Sequence, residues 1–174
     1  MIFKVLGSLL FIESGLQMLC MLVAFYYGEP DLLAFNISFI ITLFGALFFR
    51  YLGRQANNSL TRRDAYLVVT LSWVIFSLFG TLPFLISGYV ESFTDAYFET
   101  MSGFTTTGAT IIDDVEALPH GLLFFRSLTQ WIGGLGIVFF TIALLPSMTG
   151  GSVRVFAAEA TGPIRTKLHP RLST

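Results

Sequence analysis

The stretch Thr105-Thr106-Thr107-Gly108-Ala109-Thr110 is where residue types and spacing in this 174-residue chain point to chemistry. Three β-branched residues beside a glycine form a poor helix and read as extended backbone. Gly108 admits dihedrals that a side chain would forbid. Upstream, Ser92-Phe93-Thr94-Asp95 fits a capping box, with Ser92 as N-cap and Asp95 at N3. Residues 95–102 would then make about two helical turns, roughly 12 Å at 1.5 Å per residue, with Gly103 or Phe104 ending the helix. Downstream, Asp113 and Asp114 return the chain to water. A short helix, an extended stretch and a return to the same side describe a re-entrant pore loop. Such backbone is tolerated at membrane depth only when buried in protein or lining a water-filled cavity. Carbonyls aimed at that cavity can replace an ion's hydration shell. The partly negative C-terminus of the short helix favours a cation, and an acidic mouth raises its local concentration. The competing reading is an extracellular loop with a surface helix.

Other chemistries find little footing. Cys20 is the single cysteine, so an internal disulfide and a cysteine metal cage are excluded. His120 and His169 lie in polar connections without metal-ligand spacing and read as solvated. No HExxH, G-x-S-x-G or Walker sequence occurs. Ser102 has no histidine at membrane depth to activate it. The expectation is a protein that is not an enzyme and has no cofactor.

The elements that would hold the loop follow from composition. Hydrophobic residues make up 54% and charged residues 12%, where soluble domains carry about a quarter charged. Mean hydropathy is +0.74. These values exclude a disordered chain, a nucleic-acid-binding arm and an ordinary cytosolic enzyme. Uncharged runs at 14–28, 32–49, 65–90 and 127–153 each approach or exceed the ~20 residues of a membrane-crossing helix. Four membrane helices are expected, at about 5–27, 32–52, 65–89 and 121–146. The first also has the basic start of a signal peptide at Lys4, but no A-x-A-like cleavage site follows it.

Lys4, Arg50, Arg54, Arg62, Arg63, Arg154, Arg165, Lys167 and Arg171 fall on one side of that arrangement, which the positive-inside rule makes cytoplasmic. Both termini are then inside. Glu29, Asp31, Glu91, Asp95, Glu99, Asp113, Asp114 and Glu116 fall outside, with Arg126 as the lone cation. Arg126 reads as an anchor or as a partner of Asp113, Asp114 or Glu116. Glu13, inside the first helix, is a functional candidate by its depth, or reaches water or Gln17. Gly133, Gly134 and Gly136 read as close-packing positions, with a bending hinge as the alternative.

Residues 102–110 resemble the first pore loop of the Trk/Ktr/HKT potassium transporters, closest to the TrkH branch. Thr94–Glu99 resembles that family's pore helix, and Gln130-Trp131-Ile132-Gly133-Gly134-Leu135-Gly136-Ile137 the start of its next helix. Gly150-Gly151, Ala158–Pro163 and His169-Pro170-Arg171 resemble the cytoplasmic segment beyond. Aligned on Gly108, the stretch lacks the tyrosine and second glycine of T-V-G-Y-G, and the family likewise keeps one glycine per repeat.

The resemblance implies an all-α membrane protein with two leading helices and four helix–pore loop–helix repeats around one potassium pathway. Residues 1–64 would be the leading helices and a cytoplasmic loop, 65–146 the first repeat, and 147–174 a linker toward a second repeat that the sequence does not contain. Within the repeat, Ala65–Tyr89 would be the outer helix, Ser92–Phe104 the pore helix and Gly121–Pro146 the inner helix. The filter carbonyls would come from Thr105, Thr106, Thr107 and Gly108, with Ala109 at the outer edge and Thr106 and Thr107 foremost as potassium ligands. Also implied are symporter-type potassium uptake across a bacterial inner membrane, a homo-oligomer and a cytosolic nucleotide-binding regulatory subunit. The lipid bilayer is the surrounding partner and nucleic acid is not one. The rival reading is a truncated, non-conducting membrane module that only associates with other transporter subunits.

Overall fold

The structure is a computed structural model that describes residues 2–54 and 62–148. Six helices follow in order: α1 (Ile2–Tyr27), α2 (Asp31–Leu52), α3 (Arg62–Gly80), α4 (Leu82–Ser87), α5 (Phe93–Phe104) and α6 (His120–Met148). Among the described residues there is no strand. The chain divides into compact units Met1–Ile137 and Val138–Thr174, and the contacts below belong to the first. Three segments, Ile2–Tyr27, Asp31–Leu52 and Tyr66–Ser87, are long and apolar enough to cross a membrane. Helix α6 occupies the stretch expected to be the fourth. The expected linker at 147–174 lies, from residue 149 onward, outside the described residues.

Helices α1 and α2 form an antiparallel hairpin. Gly28 supplies its left-handed residue (φ 67°), and the Glu29 N–H reaches back to the Ala24 carbonyl at 3.1 Å. Apolar contact alone gives no preference over lipid tails, so membrane helices hold together through close backbone approach and polar contacts. Gly7 provides such an approach: a Cβ there would sit 2.8 Å from the Arg50 backbone nitrogen and 2.9 Å from the Ala46 carbonyl oxygen.

The expected single helix at 65–89 is broken at Thr81. Pro83 is the reason. It has no N–H for the Phe79 carbonyl and its ring crowds that carbonyl, which kinks a helix. The path continues, since the Leu85 N–H still reaches the Thr81 carbonyl at 3.1 Å. Helix α4 then stops at Gly88 (φ 76°).

Helix α6 is tied to the rest through aromatic rings and carboxylates. Phe125 packs on Phe35 of α2 and Phe84 of α4, with ring centroids 5.9 and 6.0 Å apart. The His120 backbone N–H donates to Glu29 at 2.7 Å, and its ring Nδ1 lies 2.7 Å from the other Glu29 oxygen. The His120 ring stacks on Tyr27 at 3.9 Å. His120 is therefore exposed but paired, not simply solvated. The pairing has a physical cause: free N–H groups and the partial positive charge at a helix N-terminus attract carboxylates. Asp31 is also buried at this end, its carboxylate against Gly121.

Two outcomes are expected. Gly7→Val should lower stability by about 1–3 kcal/mol, the usual cost of overpacking, while Gly15→Ala, at a position open to 4 Å, should change little; denaturant unfolding in micelles measures both. Partial burial pushes the Glu29 carboxyl up, but hydrogen bonds from the His120 ring and backbone, the His120 charge and the Gly121 N–H outweigh it and hold it below its ordinary value. Its stabilisation is present above an unfolded carboxyl value of ~4.3 and is lost as pH falls through the lower folded value. Acid unfolding should therefore be shallower in Glu29→Gln, by less than about 1 kcal/mol because the pair is largely exposed.

Candidate functional site

Helix α5 begins as its sequence dictates. Ser92 is the N-cap with extended dihedrals, and its hydroxyl accepts from the Asp95 N–H at 3.5 Å. Thr100 anchors the helix sideways, its hydroxyl lying 3.0 Å from the Ser77 carbonyl of α3.

The C-terminal end differs from a simple passage into extended chain. The Thr106 N–H donates to the Gly103 carbonyl at 3.0 Å and the Thr107 N–H to the Ser102 carbonyl at 2.9 Å. Thr106 is left-handed, with φ 55°. This is a Schellman closure, which supplies donors to carbonyls that the last turn would leave orphaned. Thr105 and Thr106 thus finish the helix, and the irregular backbone starts at Thr107. A β-branched residue in this region costs about 1–2 kcal/mol, so the surroundings must hold it. Part of that hold is visible: the Thr105 hydroxyl donates to the Met101 carbonyl at 2.7 Å and lies 2.8 Å from the Thr107 hydroxyl.

Gly108 has φ 76° and open space where a Cβ would be. Its dihedral, not crowding, demands glycine. The Ser102 hydroxyl donates to the Ala109 carbonyl at 2.6 Å, folding the strand back over α5. Thr106, Thr107, Gly108 and Ala109 are exposed, and Thr105 is half-buried.

A buried ion pair holds the returning strand. Glu99 of α5 is 4% exposed. Arg126 of α6 places Nη2 at 2.6 Å and Nε at 2.7 Å from the same Glu99 oxygen. The Thr110 hydroxyl donates to Glu99 at 2.9 Å and the Ile111 N–H at 3.1 Å. One carboxylate thereby joins α5, α6 and the strand leaving the loop. The partner of Arg126 is Glu99, not Asp113, Asp114 or Glu116, which are exposed. Asp114 instead accepts from the backbone N–H groups of Glu116 and Ala117 at 3.1 and 3.3 Å. Glu99 is consequently neutralised and buried, and does not belong to the acidic outer surface.

Small residues bring α5 and α6 together. A Cβ on Gly133 would collide with the Phe104 carbonyl, and one on Gly103 with the Thr129 hydroxyl. Gly136 lies against the Trp73 ring, while a Cβ on Gly134 would only touch the Thr106 methyl, at 3.9 Å. Gly133 and Gly136 are close-packing positions. Behind the loop, Glu99, Ser102, Ala109, Arg126, Thr129 and Gln130 line a small polar cavity. Among the described residues, no cluster of three or more His, Cys, Asp or Glu side chains is placed to hold a metal ion.

Residues 33–174 match the family model described as TrkH, cation transport protein. The chain belongs to the TrkH family. It is 36% identical over 172 residues to the Trk system potassium uptake protein TrkH of Salmonella typhimurium, covering 98% of this chain and 36% of that protein. It is 36% identical over 169 residues to TrkG of Escherichia coli, covering 96% of this chain and 35% of that one. The crystal structure of the potassium transporter TrkH from Vibrio parahaemolyticus superposes with a TM-score of 0.78 at 35% identity, over 90% of this chain and 35% of the other. The chain thus spans a little over a third of the length of the TrkH relatives it matches.

Removing one member of the buried pair should be costly. Glu99→Ala strands the Arg126 guanidinium and frees Thr110, and is expected to lose about 3–5 kcal/mol. Glu99→Ala combined with Arg126→Met should lose less than the sum of the single changes, because no orphan charge remains. A double-mutant cycle by denaturant unfolding in micelles reads both numbers.

Proposed function

We propose that this chain supplies one of the four filter strands of a Trk-type potassium uptake protein. Helix α5 acts as the pore helix and residues 105–109 as the filter strand. The observation that carries the reading is the loop itself. A short helix is closed by a strained Thr106, the chain turns back at Gly108, and Glu99 and Arg126 pin the return, all within a TrkH-family chain.

The ligands are backbone carbonyls of Thr105, Thr106, Thr107 and Gly108, with Ala109 at the outer edge. Thr106 and Thr107 are the foremost potassium ligands. The chemistry is replacement of the ion's hydration shell by fixed carbonyl dipoles. The C-terminal end of α5 adds partial negative charge next to the loop. Strain at Thr106 is consistent with this role, since such strain persists where surroundings over-determine a functional geometry. The complete protein takes up potassium across a bacterial inner membrane, with both termini of this chain in the cytoplasm. It works as a homo-oligomer with a cytosolic nucleotide-binding regulatory subunit. Of these statements, potassium uptake is supported by the names of the relatives, the orientation by the distribution of Lys and Arg, and the inner membrane, the oligomer and the regulatory subunit by the sequence resemblance alone.

Rubidium uptake by a complete transporter carrying this segment tests the proposal. Gly108→Asp places a charged side chain on a φ of 76° and should reduce uptake to background. Uptake unchanged by that substitution would overturn the filter assignment. Liposomes holding the 174-residue chain alone separate two arrangements. Flux that Gly108→Asp removes means that separate chains assemble the filter. Absence of flux means that the chain acts only alongside other pore segments.

A further inference from the structure

Buried polar groups away from the loop remain without partners. Glu13 and Gln17 of α1 and Thr42 of α2 are each 0% exposed. Both carboxylate oxygens of Glu13, both amide atoms of Gln17 and the Thr42 hydroxyl lack any hydrogen-bond partner. Nearby Ser14 and Ser38 differ, because each donates to a carbonyl of its own helix, Phe11 and Ala34 respectively. Orphaned polar atoms in a membrane interior cost several kcal/mol each, and a native structure that retains them calls for a bound water or ion.

The three residues lie at one level of the fold. Glu13 and Gln17 are four apart and share a helix face. The α1–α2 register brings Gly7 to Ala46 and Met21 to Asn36, which sets Thr42 opposite the Glu13 turn. Glu13 also faces the rest of the molecule. Its Oε1 lies 3.5 Å from the point where a Gly80 Cβ would sit, and the same point is 3.3 Å from a Thr100 methyl and 3.1 Å from the Phe104 ring. The Glu13 end of the cluster therefore faces Gly80, just before the Thr81 break.

We propose that Glu13, Gln17 and Thr42 form a binding site for one dehydrated alkali-metal cation, inside the membrane and separate from the filter strand. The donors are a carboxylate, an amide carbonyl and a hydroxyl, hard oxygens suited to a hard cation. One carboxylate balances one positive charge, which selects a monovalent ion over Ca²⁺ or Mg²⁺. A water molecule would satisfy hydrogen bonds but leave the carboxylate charge uncompensated in a low dielectric. Sodium and potassium share the required chemistry. Because Glu13 abuts Gly80 at the end of α3, occupancy fixes the α1–α2 hairpin against the α3–α4 break. The proposal does not rest on the filter reading.

Infrared difference spectroscopy of the full chain in lipid tests it, with N-methylglucamine exchanged for sodium or for potassium at fixed pH. A carboxylate difference band is expected on exchange to at least one alkali ion, and comparing the two ions identifies the occupant. Glu13→Gln should abolish the band, Thr42→Val and Gln17→Leu should weaken it several-fold, and Gly15→Ala, on the same helix at a position open to 4 Å, should leave it intact. An absent ion-dependent band, or one unchanged in Glu13→Gln, overturns the proposal. So does a carboxylic-acid carbonyl band that Glu13→Gln removes but alkali ions do not move, which would make Glu13 a protonated structural group. If Glu13→Gln does not fold, Thr42→Val decides, being nearly isosteric, and an unchanged band in that variant overturns the proposal.

Discussion

The ion pair between Glu99 and Arg126 is the contact on which the loop's shape depends. The segment after Gly108 has no ladder partner among the described residues, so its backbone groups need donors and acceptors from elsewhere. Glu99 accepts from Thr110 and Ile111 on that strand while receiving two guanidinium hydrogen bonds from α6. A lone carboxylate at this depth would be expensive, and so would a lone guanidinium. Each is tolerated because the other is present, and the strand's donors occupy the remaining carboxylate capacity. The same group thus sets where the loop ends and how far α6 stands from α5.

With that distance set, the glycines follow. Gly133 lets α6 run against the Phe104 carbonyl, and Gly103 lets α5 run against Thr129. Both contacts fall at the turn where Thr106 is left-handed. The strain at Thr106 is therefore held from three directions: the Schellman hydrogen bonds behind it, the Ser102 bond to Ala109 ahead of it, and α6 beside it. Packed interiors are bistable more readily than they are elastic.

Much of this was legible in the sequence, and the rest was not for definite reasons. Uncharged runs located α1, α2, α6 and the α3–α4 segment, because membrane thickness converts directly into residue count. The Ser92 cap and the left-handed Gly108 were readable because each is a local rule. The break at Thr81 was also a local signal, carried by Pro83, but hydropathy averages over it. Thr106 was misread as extended because β-branched propensity speaks for strands, while the orphan carbonyls of α5 decide otherwise. The partner of Arg126 lies 27 residues away, on an element whose rotation no local pattern sets. Three nearer acidic residues drew the expectation, although burial, not sequence distance, decides which charges must pair.

The α1–α2 hairpin obeys the same logic. Leu, Ile and Phe side chains facing lipid gain nothing by facing another helix instead, so apolar surface cannot dock it in one place. Its attachments are those that lipid tails cannot imitate. At one end Glu29 and Tyr27 engage His120 at the α6 N-terminus. One turn into α2, Phe35 meets Phe125 edge to face. Farther along, Glu13 lies against the hydrogen of Gly80. These contacts fall on α6 and on the α3–α4 break, the elements that flank α5. The hairpin consequently braces the helices that carry the loop without contributing a residue to it, which is why polar groups on α1 are worth their burial.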